Sequence, residues 1–257
     1  MSSPKTVDAA RSAAAAAIDA QGTDEAEWLA AQLPDQLPHL ALPEGPVVVV
    51  AAHPDDEVLG FGGAMAALLD AGATVHTVCL TDGEASHGTL PTPGREQLAA
   101  RRRGELAAAL GELGDLPFPV RAGFPDTGLD EYETRARTVI GEVLDDVGAA
   151  VCVAPWVGDL HSDHEAAGRA ARDACGDRST PVWFYPVWMW HWARPYDPRV
   201  PWERVSVLPL AQAAVDRKKA ALARFTSQLE DRASGVGPVL PAQEIAHHTR
   251  TFETVIR

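Results

Sequence analysis

The sequence predicts an α/β fold: a Rossmann-like, mostly parallel sheet with helices on both faces, preceded by an N-terminal helical extension. Three observations predict it. Pro46 to Ala52 is a continuous apolar run with its single proline at the start. A run without polar alternation marks a strand buried on both faces, as in parallel sheets. That run, a helical pattern from Glu57 to Ala71 closed by Gly72, and a second apolar strand from Thr74 to Thr81 form a β-α-β unit. Helical patterns at about 95–113, 131–147 and 163–175 then alternate with strand-like runs at about 117–122 and 150–154.

The remaining elements follow in order. Two short strands, at about 182–187 and 204–208, precede a helix over about 211–230. Arg232 to His247 carries two glycines and two prolines and reads as loop. Residues 1–43 stand apart. Eight alanines fall in residues 9–20, Asp24, Glu25 and Glu27 open a second helical stretch through Leu33, and Pro34, Pro38 and Pro43 end it. Ala-rich helices form readily but bury little. This segment is expected to be a cap on the main domain or a loosely held tail, with no chemistry of its own. The domain division is therefore 1–43 and 44–257.

Composition narrows the partners. The chain has 257 residues, and 22 basic against 36 acidic side chains give a net charge of −14. Nucleic acid needs a basic surface, so it is not an expected partner, and no apolar run approaches the ~20 residues of a membrane span. Cys79, Cys152 and Cys175 are few, odd in number and far apart, which fits neither a disulfide framework nor a Cys-based zinc site. With no basic-then-apolar start, the expected location is cytoplasmic. Self-association is left open.

The chemistry begins where the first strand ends. Ala52-His53-Pro54-Asp55-Asp56-Glu57 places a histidine and three acids at the carboxyl end of a buried strand, where reactive groups gather in open α/β sheets. Like charges crowded there repel, and a divalent ion relieves that repulsion. Helix capping by Asp and Glu is the simpler alternative; it accounts for one or two acids but not for His53 joined to paired aspartates. A second cluster, His161-Ser162-Asp163-His164, follows the strand-like run Ala150 to Ala154. Its local alternative is an Asp163 cap and a solvated His161. Three protein ligands with an open fourth position make a catalytic zinc site. His53, Asp56 and His164 supply such a set, leaving Asp55 and His161 for acid–base work. Of the other histidines, His76 reads as a core or sheet-face residue, His247 and His248 as surface residues, and His191 as a residue able to reach a pocket.

Both clusters together resemble the LmbE-like (PIG-L) family of zinc-dependent N-acetylglucosaminyl de-N-acetylases, whose hallmarks are a strand ending in AHPDDE and a later HPDH-like motif. The first stands intact at Ala52 to Glu57, and the second reads His161-Ser162-Asp163-His164. Similar blocks are the helix from Arg102 to Leu110, the loop Pro125 to Leu129, and Lys218 to Gln228, so the resemblance runs from about 46 to 230 and leaves out 1–43. It implies zinc (or iron(II) or another divalent metal) on His53, Asp56 and His164. Asp55 would be the general base, and His161, in its charged form, the oxyanion stabiliser or acid. Arg102 and Asp126 would bind substrate hydroxyls; otherwise they are a solvated helix charge and a turn residue. The substrate implied is a small amino sugar or glycoconjugate, with acetate and a free amine as products. Two departures stand out. Some members carry a tyrosine where this chain has Asp159, and some mycothiol enzymes continue the second motif with a further histidine where Glu165-Ala166-Ala167 stands here.

Three rival readings are weaker or narrower. A nucleotide-binding site would use Gly60-Phe61-Gly62-Gly63, but its spacing misses G-x-G-x-x-G and three acids precede it. A non-catalytic binding module would not need Asp55 beside both histidine motifs. An amidase for a larger acyl group or a mycothiol-type conjugate uses the same residues. Five of the seven tryptophans, Trp183, Trp188, Trp190, Trp192 and Trp202, lie between 183 and 202; packing is the simpler role for any one of them, and at least one is expected to line the pocket.

Overall fold

The computed structural model of the protein describes residues 4–232 and 235–257. Five parallel strands form the body of one sheet: β1 (Val47–Ala51), β2 (Val75–Thr81), β3 (Val120–Phe124), β4 (Val151–Pro155) and β5 (Val182–Tyr185). Two more, β6 (Val205–Pro209) and β7 (Phe252–Ile256), close one edge antiparallel, giving the order β3-β2-β1-β4-β5-β7-β6. Strand β1 lies at the centre and every residue of it is buried. Val48 and Val50 point into one hydrophobic core, and Val47, Val49 and Ala51 into the other. That is why the run carries no polar alternation: both faces of the strand are interior.

The helices of the body are α4 (Asp56–Asp70), α5 (Thr92–Leu113), α6 (Glu133–Val147), α7 (Ser162–Gly176), the single turn α8 (Met189–Trp192) and α9 (Gln212–Leu222). Helix α4 contributes Val58, Phe61 and Met65 to one core, whereas α7 contributes Ala166, Ala170 and Ala174 to the other, so they flank opposite faces of the sheet. One rung of α4 is met from outside: the Gly63 and Ala64 amides donate to Glu253 of β7, and the Leu59 carbonyl accepts from Lys218 Nζ at 2.7 Å. Lys218 and Glu253 are themselves a buried ion pair at 2.6 Å.

The N-terminal segment folds as α1 (Pro4–Asp19), α2 (Glu25–Ala30) and α3 (Leu33–Gln36). Asp24 caps α2 through the Ala26 amide. Pro34 stands in the first turn of α3 rather than ending a helix, a position where its missing N–H is no loss. Trp28 is buried against Trp190 in an edge-on contact at 4.9 Å and donates Nε1–H to the Trp190 carbonyl. Glu25 pairs with Arg250 and His247. Burial alone would raise the Glu25 carboxyl, but these bonds outweigh it and hold it below its ordinary range.

Several expectations are corrected. The strand expected at 117–122 lies at Val120–Phe124. The helix expected over 211–230 breaks after Leu222, where fully buried Phe225 leaves helical geometry, and resumes as α10 (Thr226–Leu229). The loop expected over Arg232 to His247 ends in α11 (Ala242–His247); residues 233 and 234 of that stretch lie outside the described residues. His247 and His248 are buried, not surface residues, because Glu25 and the Leu59 carbonyl partner their Nδ1 atoms. Cys79 and Cys152 are buried core residues, as expected, and Cys175 is buried too. Among the described residues no helix is long and apolar enough to cross a membrane.

Candidate metal centre and active-site cavity

Strands β1 and β4 are parallel neighbours, and the helices that follow them lie on opposite faces. Their carboxyl ends therefore open at the topological switch point, where α/β sheets leave a crevice. The first motif leaves β1 here and the second leads from β4 into α7, so both sequence clusters meet at one place. Asp55 sits between strand and helix with φ 144°, a backbone conformation that favours glycine and costs of order 1–3 kcal/mol in other residues. The Val58 and Leu59 amides, both donating to the Asp55 carbonyl, help to hold it there.

The side chains converge tightly. Asp56 lies between two imidazoles, with Oδ2 3.3 Å from His53 Nδ1 and Oδ1 3.1 Å from His164 Nε2. Nitrogens of His53, His161 and His164 all fall within 4.8 Å of one another, and a second cluster joins His53 to Asp126 and Asp163 within the same limit. The His161 Nδ1 atom is buried without a hydrogen-bond partner. Three imidazoles, one of them with an orphaned ring nitrogen, and Asp56 between two of them suit a divalent cation, while Asp126 and Asp163 meet the other ring nitrogen of His53.

The electrostatics follow from that crowding. Burial opposes charge on His53 and His164, yet the surrounding carboxylates win: His53 is raised well above its ordinary value by Asp126, Asp163 and Asp56, and His164 is pushed up to about 9 by Asp56 and Asp159. Burial and the neighbouring His164 and His53 depress His161 to about 3. Burial, reinforced by Asp56 and opposed by Arg102, pushes Asp55 up to about 7, the region where a carboxylate serves as a base near neutral pH.

The other predicted residues are drawn into the same centre. Arg102 of α5 is buried, not solvated. Its Nη2 donates to Asp55 Oδ2 at 3.0 Å and to the Pro54 carbonyl, while Nη1 donates to the Gly83 carbonyl. Gly83 has φ +65°, and a Cβ there would overlap Arg102 Nη1. Asp126 faces the cavity with Oδ1 3.2 Å from His53 Nε2, and its other oxygen accepts from the Ala85 amide at 2.7 Å.

Two carboxylates matter more than the sequence suggested. Asp163 is not a helix cap: it accepts from the Thr127 and Leu129 amides, binding the 125–129 loop to the second motif while touching His53 Nε2 at 3.3 Å. The Asp159 carboxylate accepts four hydrogen bonds, one from His164 Nδ1 at 2.7 Å and the rest from the Val187, Trp188 and Met189 amides. It thereby orients a histidine of the candidate metal centre and fixes the segment beyond β5. The only signal for it in the sequence is an aspartate five residues before His164 in an otherwise apolar stretch.

A cavity of about 440 Å³ opens over this centre. His53, Asp55, Asp56, Arg102, Asp126, His161 and His164 all line it. Of the aromatic segment, Trp188 and His191 face it, whereas Trp190 packs on Trp28 and Trp192 stacks on Trp156. Ile18 and Asp19 of α1 also line it, so the N-terminal segment reaches the site rather than only capping the domain.

This is a Rossmann-like α/β architecture with a candidate metal centre at its switch point, and comparison with known proteins shows the family. A family model for GlcNAc-PI de-N-acetylases, PIG-L, matches residues 48–175. A 1D-myo-inositol 2-acetamido-2-deoxy-alpha-D-glucopyranoside deacetylase of Streptomyces avermitilis is 32% identical over 209 residues, 70% of this chain and 68% of that protein. The chain belongs to the PIG-L family. A deacetylase of the same description (deacetylase 2) from Saccharopolyspora erythraea is 32% identical over 179 residues, 60% of this chain and 64% of the relative, so the match spans a little under two thirds of its length. A conserved protein from Thermus thermophilus superimposes with a TM-score of 0.60 at 28% identity, over 82% of this chain and 93% of that one.

Proposed function

We propose that the protein is a zinc-dependent hydrolase that removes the N-acetyl group from an N-acetylglucosamine-type sugar or glycoconjugate, releasing acetate and a free amine. The observation that carries this reading is Asp55, a buried carboxylate held at about 7 beside His53, Asp56 and His164 and facing the cavity. His53 and His164 with Asp56 between them would hold the ion. When bound it would supply Lewis acidity toward the acetyl carbonyl. Asp55 takes the proton from the attacking water, and the Arg102 guanidinium keeps its carboxylate aimed. His161, on whichever ring nitrogen carries its proton, donates to the oxygen on which charge develops. The proton held by Asp55 then passes to the leaving nitrogen. Asp126 and Arg102 border the space where the sugar hydroxyls would lie.

The nitrogen positions of His53, His161 and His164 favour a second ligand set in which His161 replaces Asp56. The two sets separate on metal content. His161→Ala keeps stoichiometric zinc in the first and loses it in the second. For the reaction itself, Asp55→Ala is expected to retain zinc while acetate release from N-acetylglucosamine conjugates falls by about 10²–10⁴-fold. Wild-type turnover in that variant refutes the assignment.

A further inference from the structure

We propose that the mouth of the cavity is a subsite for an uncharged, apolar aglycone, an aryl or alkyl group, and that the N-terminal segment forms one of its walls. The proposal rests on the deacetylation reading above for the sugar end of the ligand.

The reactive groups occupy the strand ends, but the cavity continues past them. Beyond them its lining includes Ile18 of α1, Trp188 and the Leu240-Pro241 turn, from three stretches of chain distant in sequence. These are apolar surfaces that sugar hydroxyls cannot satisfy, whereas an aromatic or aliphatic group can. The wall is built, not incidental. His191 joins the three stretches: its Nδ1 meets Glu244 of α11 at 2.9 Å and its Nε2 meets the Ala20 carbonyl at 3.0 Å, while its own carbonyl accepts from the Thr23 amide at 2.8 Å. The chain crosses its ring so closely that a Cβ on Gly22 would overlap Nδ1. Thr23 Oγ1 adds a bond to the Ala193 carbonyl at 2.6 Å. Trp188 is fixed in turn by Asp159 through its amide and packs edge-on against His191 at 5.8 Å.

Charge selects against an anionic aglycone. Asp19, Glu244 and Asp126 line the cavity. Of the lining arginines, Arg102 already serves Asp55 and two carbonyls, and Arg232 donates Nε–H to the Gly237 carbonyl. The remaining basic lining residues are the histidines of the candidate metal centre and His191, which Glu244 already partners.

The test uses the full chain loaded with zinc and three glycosides of N-acetylglucosamine: methyl, phenyl and carboxymethyl. Acetate release gives kcat/KM, and titration calorimetry gives Kd. The phenyl glycoside is expected to exceed the methyl by about tenfold or more in kcat/KM, as burial of an aromatic group implies, and the carboxymethyl glycoside to be the poorest. Trp188→Ala and Ile18→Ser should each cut the phenyl-to-methyl ratio by about fivefold or more with zinc content retained; should Trp188→Ala fail to fold, Ile18→Ser decides. A wild-type ratio near one, or a ratio unmoved by the folded variants, overturns the subsite while leaving the deacetylase reading standing. If no glycoside releases acetate, the reaction reading fails, and the same phenyl-to-methyl comparison made on Kd decides the subsite alone.

Discussion

Asp159→Asn should weaken metal binding without touching a metal-facing atom. In the native protein one Asp159 oxygen accepts from the Val187 and Met189 amides and the other from the Trp188 amide and His164 Nδ1. Asparagine has a single acceptor oxygen. If that oxygen keeps the first pair, its NH2 group faces two donors, Trp188 N–H and His164 Nδ1–H. Each buried donor left unpaired costs about 1–3 kcal/mol, so the variant should lose about 2–6 kcal/mol of stability in urea unfolding. His164, no longer held in tautomer and orientation, should bind zinc about 10–100-fold more weakly, the usual effect of removing a partner that orients a metal-binding histidine. Competition with a chelator of known affinity measures this directly, with circular dichroism showing that the variant remains folded. Zinc affinity within twofold of wild type in a folded Asp159→Asn protein would refute the orienting role.

Two further outcomes follow from the packing. Gly83→Ala should expel the Arg102 guanidinium, because the new methyl would overlap Nη1, and the left-handed backbone alone costs about 1–2 kcal/mol; a melting temperature equal to wild type would contradict it. Glu25 should make stability depend on acid. Its folded-state carboxyl lies below its ordinary value, so its stabilisation is fully present above that value and fades as pH falls through the depressed one. The unfolding free-energy gap between wild type and Glu25→Gln should therefore shrink on acidification below about pH 4.5, and a gap constant from pH 7 to pH 3 would show that Arg250 and His247 contribute no linkage.

The parallel body of the fold was legible because burial on both faces writes itself into Val47 to Ala51 as an unbroken apolar run. Strand β7 was not legible, because Glu253 resembles a surface residue until Lys218 and the α4 amides are seen to occupy it. The same reason hid His247 and His248: each takes its partner from a segment remote in sequence. At the site, His53, Asp55, Asp56 and the His161–His164 pair stood out because spacing and strand ends are local features. Asp159 and Asp163 did not, because their work is to bind backbone amides of other loops, and no local pattern records which amides those are. Arg102 was placed at the site by resemblance alone; its burial depends on the bare backbone of Gly83, 19 residues away.

The stapled rung of α4 has a consequence for how the site comes into being. The helix that begins at Asp56 receives the carboxylate that completes it from a strand 190 residues further along the chain. During synthesis both histidine motifs are made long before Glu253 emerges, so Asp56 and the helix it opens precede the carboxylate that meets the Gly63 and Ala64 amides. The stretch matched by the family model ends at residue 175 and includes neither Lys218 nor Glu253. The hydrogen bonding of this helix is complete only with β7 in place, which ties the antiparallel edge of the sheet to the helix that carries Asp56.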